Sequence, residues 1–158
     1  PPPAAPEGRR GFSFRSHLVN LADEDLPGFR QRVGDGAAHV LVVDDEPVVR
    51  RVVARMLETE GYTTHEASDG AEALDRVRAD RDLFDVIVSD IVMPRMNGVE
   101  LLQTLSISHP ELPVILISGY GAPELAERGI AAPCAVLAKP LVPELLLAEV
   151  RRCLRRRT

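Results

Sequence analysis

As a string of apolar and polar positions, the chain changes character at His39. From there onward, apolar runs of strand length alternate with segments whose apolar residues recur every three or four positions. HVLVVDD, FDVIVSD and LPVILIS are near-continuous apolar runs, the pattern of strands buried on both faces. YTTHEA is a more polar strand, and PCAVLAK is the fifth. Between them, EPVVRRVVARMLETEG predicts an amphipathic helix with Val49, Val52, Val53, Met56 and Leu57 along one stripe and Gly61 as its stop. DGAEALDRVRAD predicts a helix capped by Asp69, and VELLQTLSI another. A short helix is expected around PELAERG, and PELLLAEVRRCLRR closes the chain with Leu145 to Leu147 in the core. Strand and helix alternate five times with short connections. Each parallel crossover needs a helix, so the pattern predicts an α/β fold with a parallel sheet covered on both faces.

Residues 1–38 do not share this regularity and are read as an N-terminal extension or linker preceding a domain at 39–158. They open on PPPAAPEG, a linker composition, with FSFRSHLV as a short strand and LPGFRQRV as a turn with a brief helical piece. Composition narrows the function classes. Aromatic residues make up 4% and tryptophan is absent, so the core is aliphatic. A net charge of −5 gives no general reason for nucleic-acid binding. No apolar run approaches membrane-span length, and the Pro-rich start lacks the layout of a signal peptide. Cys134 and Cys153 match no paired or metal-binding spacing, so reduced thiols in a cytoplasmic protein are expected, with Cys153 an apolar filler.

Four of the five predicted strands end on a chemically capable group: Asp44 with Asp45, Asp90, Ser118 and Lys139. In open parallel sheets ligands bind outside the carboxyl ends of the strands, so these groups should converge on one edge. Three neighbouring carboxylates repel one another unless a cation neutralises them. A hard cation held by carboxylates, water and phosphate oxygens suits Mg²⁺. A carboxylate heading a loop, as Asp90 does, can act as nucleophile toward phosphorus. Phosphoryl transfer then needs alignment and charge stabilisation, which Mg²⁺, the Lys139 ammonium and the Ser118 hydroxyl would supply. Lys139 is also the single lysine among 19 basic residues, placed where a compact point charge serves better than a planar fork.

VLVVDDEP, SDIVMPRMNG, ILISG and LAKP, in this order and spacing, resemble the receiver domain of bacterial two-component response regulators, and the resemblance runs from Val40 to about Leu154. It implies a flavodoxin-like three-layer sandwich with strand order 2-1-3-4-5. It implies Asp90 as phosphoacceptor, with Asp44, Asp45, Asp90 and the Val92 backbone carbonyl around Mg²⁺. Ser118 becomes the hydroxyl switch residue and Lys139 the phosphate-pairing lysine, with a cis peptide bond before Pro140. The implied partners are a histidine kinase or a histidine phosphotransfer protein. A homodimer is left open, and no nucleic acid or membrane contact is expected of this segment. The chain departs from the family at Val136, where an aromatic ring often stands, which removes the ring's part in the switch. Val92 and Tyr120 flank the site without an acid or amide to orient water, so slow hydrolysis of the acyl phosphate is expected. GRRGFSFRSHL resembles the last strand of a histidine-kinase ATP-binding domain, and ISGY is common in hybrid-kinase receivers. The reading is therefore the receiver of a hybrid histidine kinase, with a stand-alone receiver as the alternative, since no DNA-binding or catalytic domain follows the final helix.

Blander readings stand beside these. Asp44 and Asp45 after a strand could simply cap the next helix. His17, His39, His65 and His109 are scattered and read as structural; SHLVNL resembles a kinase phosphohistidine box but lacks the following acid. Arg151, Arg152 and Arg155 to Arg157 look like a nucleic-acid patch, yet positive charge in a helix's last turn is favoured by its dipole. An aspartyl-nucleophile phosphatase of the haloacid dehalogenase type would carry Asp-x-Asp, whereas Asp90 is followed by Ile91 and Val92. A pseudo-receiver would lack the intact acids, serine and lysine. A dinucleotide-binding fold would show a Gly-rich loop where this chain has DDEP.

Overall fold

The computed structural model describes residues 37–119 and 131–157. In chain order they form β1 (His39–Val43), α1 (Pro47–Glu58), β2 (Thr63–Ala67), α2 (Gly70–Ala79), β3 (Val86–Asp90), α3 (Gly98–Ser108), β4 (Val114–Ser118), β5 (Ala135–Ala138) and α4 (Pro143–Arg156). The strands form one parallel sheet in the order β2-β1-β3-β4-β5, as expected. The expected helix around PELAERG and the strand and turn in the N-terminal extension lie outside the described residues.

Period-two alternation divides the core. Val40, Val42, Val86, Val88, Ile115 and Ile117 face one side with Val53, Ala54 and Leu57 of α1 and Leu146, Val150 and Leu154 of α4. Leu41, Val43, Ile87, Val114 and Leu116 face the other, against Ala73, Leu74 and Val77 of α2 and Leu101, Leu102 and Leu105 of α3. Gly61 ends α1 as its sequence suggested: at φ +89° its N–H donates to the Glu58 carbonyl and that of Tyr62 to the Leu57 carbonyl, a closure that favours glycine. Asp69 caps α2, accepting a hydrogen bond from the Glu72 N–H.

Three expectations need correction. Val52 is about half exposed, and the buried stripe of α1 runs through Val53, Ala54 and Leu57. Of Leu145 to Leu147 only Leu146 is fully buried, while Leu145 is exposed and Leu147 partly covered. Successive helical residues point about 100° apart, so three in a row cannot share one face. Finally, Cys134 and Cys153 are joined in a disulfide with a Cα–Cα distance of 6.0 Å. Their separation of 19 residues matches no local motif; it becomes a pair only because α4 packs back across the start of β5.

At the sheet edge opposite the strand tips, the His39 and His65 side chains approach to 2.8 Å between Nδ1 and Nε2, and the edge of Phe84 packs on His65. Burial, then the His39 and Arg76 charges, lower the His65 pKa. A histidine whose folded pKa lies below its unfolded value of about 6.5 favours the native state above that value and loses the contribution as pH falls through the folded pKa. The urea midpoint should therefore fall on going from about pH 7 to about pH 5, and His65→Gln should flatten that part of the profile. Equal slopes for the two proteins would exclude the histidine as the cause.

Candidate active site

The strand order reverses direction between β1 and β3, so the crevice predicted for ligands opens at their carboxyl ends. Register brings the functional groups level. Val43 pairs with Ser89, which sets Asp44 beside Asp90; Asp90 pairs with Ile117; Ser118 pairs with Ala138, one residue before Lys139. The Lys139 N–H donates to the Ser118 carbonyl at 2.9 Å, and the Lys139–Pro140 peptide bond is cis.

The three carboxylates meet: one oxygen each from Asp44, Asp45 and Asp90 lies within 4.8 Å of the others. Asp44 and Asp90 are only 4% and 6% exposed, whereas Asp45 is open to solvent. The Lys139 ammonium sits 3.1 Å from Asp90 Oδ1, which also accepts the Ile91 N–H. Burial raises the Asp44 pKa, as do the charges of Asp90 and Asp45, against the Glu46 N–H and Lys139, which lower it. Desolvation alone would lower the Lys139 pKa, but its hydrogen bond to Asp90 and the charges of Asp90, Asp44 and Glu46 outweigh this and hold it raised. Like charges facing one another at a buried strand edge, with a single ammonium among them, are a donor set suited to a hard divalent cation.

The helix-capping alternative for the paired acids holds only in part. Asp44 Oδ1 accepts the Glu46 N–H, but the N-cap of α1 is Glu46, which makes no side-chain capping bond, and Pro47 opens the helix. Val92 is 74% exposed, and Val136 is partly buried against the α2–α3 side of the core. Tyr120 lies outside the described residues.

Three contributors were not singled out for the site from sequence. Arg50 donates to the Asp44 carbonyl at 2.8 Å and to Glu66 at 3.1 Å, tying the acidic turn to β2. Gly98 packs directly beneath Asp90, its N–H donating to the Ile91 carbonyl at 2.9 Å. Asp69, foreseen only as a helix cap, also binds Arg95 from the loop that follows Asp90. The site role of each depends on contacts made only in the folded chain: Arg50 with β2, Gly98 with the end of β3, and Asp69 with the loop after Asp90.

The model of the response regulator receiver domain matches residues 40–151. The chain belongs to that family. This receiver is 40% identical over 120 residues to the sensor kinase CckA of Brucella abortus, a match spanning 75% of the chain but 13% of CckA. It is 38% identical over 120 residues to the response regulator MprA of Mycolicibacterium vanbaalenii, spanning 75% of the chain and 51% of MprA. Among solved structures, the chemotaxis response regulator CheY4 of Vibrio cholerae superposes with a TM-score of 0.66 at 35% identity, covering 74% of this chain and 98% of that one. The receiver thus spans about half of one curated relative and a small fraction of the other. Among its described residues no helix is long and apolar enough to cross a membrane.

Proposed function

We propose that Asp90 of this receiver accepts a phosphoryl group from a phosphohistidine, with Mg²⁺ held by Asp44, Asp45, Asp90 and the Val92 carbonyl. The observation that carries this reading is the meeting of three carboxylates within 4.8 Å, with the Lys139 ammonium at 3.1 Å from Asp90. Bound there, the ion would offset the negative charge of the incoming phosphoryl oxygens. Asp90 attacks phosphorus through a carboxylate oxygen; as that P–O bond forms, the P–N bond breaks and its electron pair leaves with the imidazole. Lys139 and the Ser118 hydroxyl take the remaining phosphoryl oxygens. Val92 offers no group to orient water, which supports a long-lived acyl phosphate.

Val48 in the first turn of α1 and Leu145 in the first turn of α4 are exposed. Between α1 and α4 runs an apolar groove of about 410 Å³ lined by Val52, Met56, Pro143 and Leu147 together with Arg51 and Arg55. Such a surface suits the helical face of a phosphohistidine-bearing partner, a histidine kinase or a histidine phosphotransfer protein. The similarity to a sensor kinase far longer than the match supports a hybrid-kinase origin; the similarity to MprA supports a response regulator in its own right. A cytoplasmic location goes with either, where a bridge such as Cys134–Cys153 is rare.

With acetyl phosphate and Mg²⁺, intact-mass spectra should show one phosphoryl adduct on the wild type and none on Asp90→Asn. Removing Mg²⁺ with a chelator should abolish labelling. The adduct should persist for minutes or longer once the donor is removed. Equal labelling of Asp90→Asn, or multiple turnover of a small phosphoester, would overturn the reading, the latter in favour of a phosphatase.

A further inference from the structure

The loop between Asp90 and α3, residues 91–97, is fastened at three points. At its ends, the Gly98 N–H donates to the Ile91 carbonyl at 2.9 Å, and the Ile91 N–H to the Ile117 carbonyl at 3.2 Å. In its middle, Met93 is buried in the core against α2 and α3. On its far side it is bound to the turn between β2 and α2: the Gly70 N–H donates to the Met96 carbonyl at 3.0 Å, and Arg95 grips Asp69, its Nε at 2.6 Å from Oδ2 and a second guanidinium nitrogen in contact with the same oxygen.

Two features separate the Asp69–Arg95 contact from an ordinary surface ion pair. Asp69 is buried, at 2% exposure, with its other oxygen occupied by the Glu72 N–H at 2.9 Å, so the carboxylate is fixed in place. Arg95 has a φ of +65°, the only non-glycine residue in the left-handed region among those described. That backbone costs on the order of 1–2 kcal/mol for an L-residue, and such conformations persist where the surroundings over-determine them. Here the surroundings are the Asp69 carboxylate and the Gly70–Met96 bond. The close approach is itself specific, since a Cβ on Gly70 would lie 2.7 Å from the Met96 carbonyl oxygen.

We infer that Asp69 and Arg95 are positioning residues for phosphoryl transfer: their ion pair latches the 91–97 loop to the β2–α2 turn and so sets where Val92 presents its carbonyl to the cation. Neither side chain touches the reacting atoms. Arg95 is well exposed and Asp69 buried, and the work of the latch is to hold geometry. The inference rests on the proposed function, because it assigns a role in that reaction.

The test is a Mg²⁺ titration, followed both by acetyl-phosphate labelling and by calorimetry of Mg²⁺ binding to the unphosphorylated protein, for wild type, Asp69→Asn, Arg95→Ala, the double variant and Arg95→Lys. Asparagine caps helices about as well as aspartate, so Asp69→Asn keeps α2 while removing the charge that Arg95 needs. The Mg²⁺ concentration for half-maximal rate should rise roughly tenfold in Asp69→Asn and in Arg95→Ala, the scale usual for residues that orient a metal ligand. The rate at saturating Mg²⁺ should stay within a few-fold of wild type. The double variant should be no worse than either single, and Arg95→Lys should recover much of the loss. Should Asp69→Asn fail to fold, Arg95→Ala and Arg95→Gly, the latter also relieving the left-handed backbone, decide alone. Midpoints within twofold of wild type, or effects that multiply in the double variant, would overturn the latch while leaving the phosphoacceptor reading intact. A wild type that takes no label would overturn that reading, and the latch with it.

Discussion

Replacing Gly98 by alanine is expected to lower the unfolding free energy by about 3 kcal/mol, or roughly 10 °C in melting temperature for a domain of this size. A Cβ at this position would lie 2.3 Å from the Asp90 carbonyl oxygen and 3.1 Å from both the Asp90 carbonyl carbon and the Ile91 Cα. All three are backbone atoms. A flexible side chain could turn away from the methyl; the end of β3 cannot, because Ile91 is bonded to β4 and Ile91 and Gly98 close the loop on each other. Relief must come from displacing the loop or the phosphoacceptor itself, so labelling of Asp90 should slow along with the loss of stability. Gly61→Ala is the control. There φ is +89° but nothing lies within 4 Å, so only backbone strain of about 1 kcal/mol applies, and labelling should be untouched. A Gly98→Ala protein with the melting temperature and labelling rate of the wild type would mean that the loop opens freely, which would also weaken the case for a latched loop.

Opening the Cys134–Cys153 bridge should cost a similar amount. With the cysteines 19 positions apart, the lost restriction of the unfolded chain is worth about 3 kcal/mol on the chain-entropy account. The bridge bolts Cys153, buried near the C-terminal end of α4, to the start of β5, where the Cys134 N–H donates to the Val114 carbonyl at 2.7 Å and Arg152 donates to the Cys134 carbonyl at 2.6 Å. Strand β5 is the sheet edge and leads directly to Lys139. Urea unfolding with and without reductant should differ by that amount in the wild type and not at all in a Cys134→Ser/Cys153→Ala double variant. Alkylation of the unfolded, unreduced protein should label neither cysteine; labelling of both would dispose of the bridge. Disulfides are rare where cellular thiol pools are reducing, so the alkylation state of protein taken directly from cells would also report its compartment.

The periodicity of the chain was enough to determine the architecture and the tips of its strands. Uninterrupted apolar runs such as HVLVV and VILIS can be satisfied only by strands covered on both faces, and the intervening 3.6-residue stripes supply the helices that cover them. Once the sheet is parallel, the ends of the strands must lie at the same edge, which is why the pattern alone gathers Asp44, Asp90, Ser118 and Lys139. What the sequence could not determine is anything that depends on one element lying against another. The stripe on α1 runs through Val53, Ala54 and Leu57 and leaves Val52 outside, because apolar identity does not say which side of a helix the sheet will meet. Cys134 and Cys153 become partners only when α4 crosses β5, and Asp69 meets Arg95 only when two loops 26 residues apart reach the same edge of the sheet. Local patterns act through neighbours in the chain; these contacts act through neighbours in space, and only the packed sheet and helices bring them together.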